Sequence, residues 1–300
     1  MSDCRKVIVK VPATTANMGP GFDCFGCAFQ MYNTLTFEVT ENGYTFDGFE
    51  PQYENEDNLA IQGYHAVSNY LKAPRTGLHV SIHTDIPICR GLGSSSSLLA
   101  AGAIAANVLC DGNLDKDELL NLTTQIEGHP DNLAPCLFGG MTASMMVNGR
   151  PVTVRYFISP EIEFVALIPD FEFPTSAARA ALPKALVYQD AVFNISRGGV
   201  LLKALENGDE RLIRLAMDDR LHEPYREMLI QGSDTAKRLA HECDAMGFCL
   251  SGSGPTFMCL TKDPEFLVRI RDRVAEVFPT WEVRSLAVDY RGASYQKLFS

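Results

Sequence analysis

The sequence predicts an α+β fold in two halves, and three observations lead there. Short β-patterned runs and helical runs follow one another without the strict strand-helix alternation of a parallel α/β sheet. A polar, proline-containing stretch at residues 159–163 interrupts the pattern before a new apolar strand begins. Finally, 300 residues with 46% hydrophobic content supply core enough for one large domain or two of ordinary size. Residues 1–160 are therefore expected to form an N-terminal domain and residues 161–300 a C-terminal one.

Strands are expected at residues 7–12 and 33–40, followed by a helix at 59–71. The run GLHVSIHTDI (77–86) places Leu78, Val80, Ile82 and Ile86 with the period of a half-buried strand. After it come PICRGLGSSSS (87–97) and the small-residue helix LLAAGAIAANVL (98–109). A helix at 117–126 leads to the polar turn EGHPDN, and LFGGMTASMMV (137–147) reads as a return to strand. In the second half FVALIPDF (164–171) reads as a strand. Helices are expected at 191–207, 209–218 and 234–246, a strand-turn-strand at 247–261, a helix at 265–278 and a strand at 281–288. No internal repeat, heptad pattern or low-complexity tract is present.

The segment PICRGLGSSSS is the natural place to hold an anion. Gly91 and Gly93 can take backbone angles closed to other residues, and their missing side chains let a ligand approach the amides. Ser94 or Ser95 is expected to cap the following helix, whose N-terminal amides and dipole favour phosphate. The phosphate-loop residues are thus Pro87, Ile88, Cys89, Arg90, Gly91, Leu92, Gly93, Ser94, Ser95, Ser96 and Ser97. No lysine follows the second glycine as in a Walker A loop, so charge neutralisation is expected from Mg²⁺. Read as structure alone, the same segment is a glycine turn before an N-capped core helix.

Three other segments carry polar groups that a fold alone does not require. PATTANMGPGFDCFG places Asn17 and Asp23 among turn residues. EGHPDN crowds Glu127, His129, Asp131 and Asn132 between a helix and an apolar run. LSGSGPTFMC sets Gly252 and Gly254 between apolar strands, where a plain hairpin prefers a tight two-residue turn. Arg179 precedes LPKAL, and Arg226 closes a cluster that includes Asp219, His222 and Glu223. Each segment has a purely structural reading; their combination carries the functional one.

A formal net charge of −11 argues against nucleic acid, which needs a positive field, and for a small ligand. Nine scattered cysteines suggest reduced thiols, and the lone C-x-x-C of Cys24 and Cys27 is assigned to packing. No apolar run is long enough to span a bilayer, and the N-terminus is too short and β-like for a signal peptide. The expectation is a cytoplasmic enzyme with no membrane or nucleic-acid partner.

Together these segments resemble the GHMP small-molecule kinases over nearly the whole chain. PATTANMGPGFD, PICRGLGSSSS and LSGSGPTFMC match the three motifs of that superfamily in order and approximate spacing. HPDNLAPCLFGG, AARAALPK and RLHEPYREML are similar to segments of its branch acting on homoserine. Two departures are Ser96, where the pattern more often has alanine, and the short connection between Ile126 and His129, which bears on the alignment of Glu127.

The resemblance implies a two-domain GHMP kinase fold: an N-terminal α+β domain like one shared with a ribosomal protein, and a ferredoxin-like C-terminal domain, with the site between them. It also implies that ATP phosphorylates the side-chain hydroxyl of L-homoserine. Arg179 and Arg226 are then expected to bind the carboxylate. Asn17, Asp23 and Asn132 are expected either to receive the ammonium or to orient the hydroxyl, and His129 to shape the pocket. Gly252 and Gly254 bring backbone close to the substrate. Ser95 and Glu127 are the expected Mg²⁺ ligands and Asp131 the candidate base. A related kinase of another alcohol, or a silent ATP or amino-acid sensor, are the alternatives, and a homodimer is possible.

Overall fold

The computed structural model describes residues 4–299. A first sheet contains β1 (Cys4–Ala16), β2 (Phe25–Thr40) and β3 (Tyr44–Asp47); helix α1 (Leu59–Tyr70) leads to β4 (Gly77–Thr84). Then follow α2 (Ser94–Leu109), α3 (Lys116–Glu127), α4 (Leu133–Phe138) and the hairpin β5 (Met141–Val147) and β6 (Arg150–Tyr156). The second half runs through β7 (Glu163–Ile168), α5 (Thr175–Ala180), α6 (Tyr188–Asn207), α7 (Glu210–Ala216), α8 (Glu223–Arg226) and α9 (Ser233–Glu242). It ends with β8 (Gly247–Leu250), β9 (Phe257–Thr261), α10 (Phe266–Val277), β10 (Glu282–Leu286) and β11 (Ser294–Phe299).

The first sheet has the order β11-β1-β2-β4-β3, with β5 paired to β2 and β6 to β5. β1 and β2 run past the lengths their sequence pattern suggests, with a register shift in their pairing between Pro12 and Ala13. One end of β2 then pairs with β4 and the other, Phe25 to Cys27, with β5. Helices α1 and α2 cover the sheet in close contact. A Cβ on Gly102 would meet the carbonyl of Ala60, and one on Gly63 would meet that of Leu99.

The second sheet is antiparallel in the order β10-β7-β9-β8. Numbered within this half, that is strand order 4-1-3-2, the ferredoxin-like arrangement. Phe25, Phe29 and Met31 of β2 share one buried cluster with Phe164, Met258 and Leu286 of the second sheet. The halves therefore meet through a common core, which fixes the motifs of one against those of the other.

The structure corrects several expectations. β11, unrecognised in the sequence, returns to the first sheet beside β1. The segment after EGHPDN first forms α4, with β5 beginning only at Met141. Ser94 is the first residue of α2 and does not cap it; Gly93 occupies the cap position with φ 71°.

Candidate active site

A cavity of about 540 Å³ lies where the ends of β1, β4, α2 and α3 meet α5, α8 and the β8–β9 turn. That volume falls in the range of small-molecule sites. Its wall includes Ile88, Cys89, Arg90, Gly91, Gly93, Ser94 and Ser95 from the phosphate loop. It also includes Asn17, Asp23, Glu127, His129, Asp131, Asn132, Arg179, Arg226 and Gly252. Residues from six segments read separately in the sequence thus line one space.

Because Gly93 has no side chain, no side-chain group caps α2, and its first-turn amides remain available to an anion. The two loop glycines have a second reason to be glycine. At Gly91 (φ 76°) a Cβ would meet the carbonyl of Ser251 and stand 2.8 Å from that of Gly254, and at Gly93 it would meet Thr14 Oγ1. They admit neighbouring backbone and side chains as well as ligand. Pro87, Leu92, Ser96 and Ser97 do not line the cavity. Leu92 is core; Ser96 Oγ donates to Glu127 Oε1 at 2.9 Å; Ser97 Oγ donates to Ser94 O at 2.7 Å and accepts from Asn33 Nδ2 at 2.8 Å. Arg90 turns its guanidinium to the carbonyls of Ile88 and Asp170, fixing the loop.

The β8–β9 turn ties the three motifs together. Ser251 Oγ donates to Gly91 O at 2.6 Å and lies 2.9 Å from Thr15 Oγ1, and Gly252 N donates to Ala16 O at 3.0 Å. The carbonyl of Gly252 accepts from Asn17 Nδ2 at 2.7 Å and Arg226 Nη1 at 3.0 Å. Gly254 departs from its expected place: it lies outside the cavity wall, and a Cβ there would meet Ile230 and Leu250. Its glycine preserves packing under the turn.

The charged groups define the chemistry. Asn17 (φ 69°) and Asp23 (φ 54°) both take left-handed backbone, and Asn17 Oδ1 accepts from Asp23 N at 3.0 Å. Arg179 on α5 donates Nη1 to Asp23 Oδ2 at 3.1 Å and Nη2 to Asp23 Oδ1 at 2.9 Å, a two-pronged pair. Arg226 is 1% exposed, and no carboxylate of the described residues pairs with it. Its Nε donates to Ala178 O at 3.4 Å, while Nη2 has no hydrogen-bond partner among the described residues. Burial, then the neighbouring Arg179, push its pKa down, against the pull of Asp23, Asp131 and Asp219. A guanidinium in that position stays charged and lacks an anion.

Asp131 is 2% exposed, and its Oδ1 accepts from His129 Nδ1 at 2.6 Å and from Asn132 N at 3.0 Å. Burial pulls the pKa of His129 down, but the hydrogen bond and charge of Asp131 outweigh it and the net movement is upward. Asn132 Oδ1 accepts from Thr14 Oγ1 at 2.7 Å. Oxygen or nitrogen atoms of Asp23, His129 and Asp131 lie within 4.8 Å of one another. On the loop side, Ser95 Oγ donates to Glu127 Oε1 at 3.3 Å, the same oxygen that Ser96 reaches.

The sequence reading missed one wall of the cavity, formed by Phe49, Tyr53, Asn55 and Asn58 before α1, with Ile82, Thr84 and Leu98. Only Asn58 carries a local signal, as the cap whose side chain accepts from Ala60 N. The cavity assembles the others from separate elements. No helix of the described residues is long and apolar enough to cross a membrane.

The fold and this arrangement define a small-molecule kinase of the GHMP type, which uses ATP. Residues 58–140 match the family model for the GHMP kinases N terminal domain and residues 201–280 that for the GHMP kinases C terminal domain. The homoserine kinase of Clostridium botulinum (strain ATCC 19397 / Type A) is 42% identical over 288 residues, 95% of this chain and 97% of that protein. The crystal structure of homoserine kinase from Cytophaga hutchinsonii superimposes with a TM-score of 0.88 at 27% identity, covering 99% of each chain. L. major mevalonate kinase in complex with R-mevalonate shares the fold, with a TM-score of 0.72 at 16% identity over 94% of this chain and 96% of that one. The chain belongs to the homoserine kinase family.

Proposed function

We propose that the cavity transfers the γ-phosphoryl group of ATP to the side-chain hydroxyl of L-homoserine, giving O-phospho-L-homoserine and ADP for threonine biosynthesis in the cytoplasm. The observation that carries the residue assignment is Arg226: a buried guanidinium on the cavity wall with no carboxylate of its own. Burying such a charge is costly unless an anion completes it, and a substrate carboxylate supplies one. Arg179, beside it, offers the second fork.

The amides from Arg90 to Ser95, which run into the first turn of α2, would hold the phosphates. Glu127 and Ser95 supply hard oxygen ligands suited to Mg²⁺, and the convergence of Ser95 and Ser96 on one Glu127 oxygen supports that donor set. When bound, the ion neutralises phosphate charge. The hydroxyl oxygen forms a bond to the γ-phosphorus as the bond to the β-phosphate oxygen breaks, and the hydroxyl proton passes to an oxygen of the transferred phosphoryl group, a reaction that depends chiefly on alignment and charge stabilisation.

Asp131 holds His129 and Asn132 in position through Oδ1, and in this reading it has that positioning role and not that of the base. Asp131→Asn is predicted to raise KM for homoserine and to lower kcat by less than about tenfold, whereas a base contributes roughly 10²- to 10⁴-fold. Steady-state kinetics decide between the roles. Arg226→Lys tests the clamp: the account expects a weakened KM for homoserine with nucleotide affinity retained, since lysine keeps the charge but loses the fork. Loss of nucleotide binding instead would place Arg226 on the phosphates.

A further inference from the structure

Arg179 and Arg226 are not equivalent, although both face the same space. Arg226 is buried and lacks an anion, whereas Arg179 is 43% exposed in its side chain and already satisfied by both oxygens of Asp23, itself 32% exposed. The pair joins two separate parts of the chain, the turn after β1 and the short helix α5. Near Asp23 stand Asp131 and His129. Asp131 is nearly fully buried, and its Oδ2 has no hydrogen-bond partner among the described residues. The cavity therefore has an anion-seeking end at Arg226 and a cation-seeking end at Asp131, bridged by an internal ion pair.

We propose that the Asp23–Arg179 ion pair stands in for the zwitterionic head of the substrate, and that binding is an exchange of partners: the ligand's carboxylate takes Arg179 from Asp23 while its ammonium takes Asp23 from Arg179. This deepens the homoserine reading and rests on it for the identity of the zwitterion. Asp23 becomes the ammonium ligand, with Asp131 behind it, which leaves the hydroxyl to Asn17 or Asn132.

Selectivity follows from charge balance. A zwitterion replaces one ion pair by two and leaves neither side chain unpaired. A hydroxy acid without an ammonium gains Arg179 but strands Asp23 beside Asp131; an amino alcohol without a carboxylate strands Arg179 beside Arg226. In this partly exposed site the closed pair works as a filter, because every ligand must open it and only an α-amino acid restores both contacts.

The test is calorimetric binding of L-homoserine, γ-hydroxybutyrate (no ammonium) and L-homoserinol (no carboxylate) to the full chain and to Asp23→Asn and Arg179→Gln. The exchange predicts that Asp23→Asn binds γ-hydroxybutyrate at least about tenfold more tightly than the wild type does, while losing at least as much for homoserine; one charge-assisted contact is worth that much. Arg179→Gln is predicted to gain for homoserinol in the same way. A gain in affinity cannot come from a damaged fold, and each variant checks the other. Unchanged or weaker binding of γ-hydroxybutyrate by Asp23→Asn, or of homoserinol by Arg179→Gln, overturns the exchange. So does failure of both variants to fold, since the pair would then be structural. If the wild type neither binds nor phosphorylates homoserine, the substrate assignment fails separately, and the gains on single-charge ligands still decide whether the pair competes with ligand.

Discussion

His222 is fully enclosed, stacked on Phe22 with ring centroids 5.3 Å apart, and its Nε2 donates to Gly19 O at 3.2 Å. Nδ1 accepts from Arg226 Nη1 at 3.4 Å, so the neutral ring supports the guanidinium that awaits the carboxylate. Burial pushes its pKa from 6.5 down to about 4, with Asp219 opposing and Arg226 adding to the fall. The unfolded chain then binds the extra proton first, and the stability this neutral ring contributes is lost as pH falls from about 6.5 to about 4. Glu223 opposes this: burial raises its pKa well above 4.5, so its contribution fades as pH rises above that value. Comparing Tm against pH for wild type and His222→Gln isolates the histidine. The variant should lose less Tm over that interval, and identical slopes would mean that His222 is not held neutral. At this scale residue types were legible, but their partners were not. Arg179 and Arg226 stood out beside their motifs, yet the two-pronged contact of Arg179 with Asp23 spans 156 positions and leaves no local trace.

The phosphate loop shows what an element needs beyond its own residues. Its strand, glycines and helix were legible because period-two alternation and a run of small residues are local signals. The packing of the β8–β9 turn against Gly91 was not. Gly91→Ala would combine a left-handed backbone strained for alanine, costing about 1 kcal/mol, with a Cβ driven into the carbonyl of Ser251. It should lower Tm and weaken ATP binding together, as read by a thermal melt and a nucleotide titration; intact nucleotide affinity would mean that the turn does not set the loop. Helices α4, α5 and α8, of six, six and four residues, escaped the sequence reading because so short a run does not display helical periodicity. Two of them, α5 and α8, carry the arginines, so the elements hardest to read are the ones that aim the clamp.

Across the whole molecule, the last strand crosses back to the first sheet. β11 follows β10 only after the second sheet is complete, and its alternation is weak because most of its residues are exposed. It pairs with β1 from Cys4 to Lys10, covering an edge of the strand that leads to the Asn17 turn. Deleting residues 294–300 should lower Tm and expose β1 to association with other copies, seen by melting and light scattering. An unchanged Tm would show that β11 is dispensable to the sheet. The same long-range closure brings the β1, phosphate-loop and β8–β9 motifs together, and with them the central claim, phosphoryl transfer to an amino-acid alcohol. The most direct measurement is ADP release by the purified protein with Mg·ATP and, in turn, L-homoserine, L-serine, mevalonate, galactose or no acceptor. The account predicts turnover that depends on homoserine, exceeds that on the other acceptors and is lost in Arg226→Lys at subsaturating substrate. Preferential turnover on mevalonate or galactose, or ATP binding with no turnover on any acceptor, would contradict it.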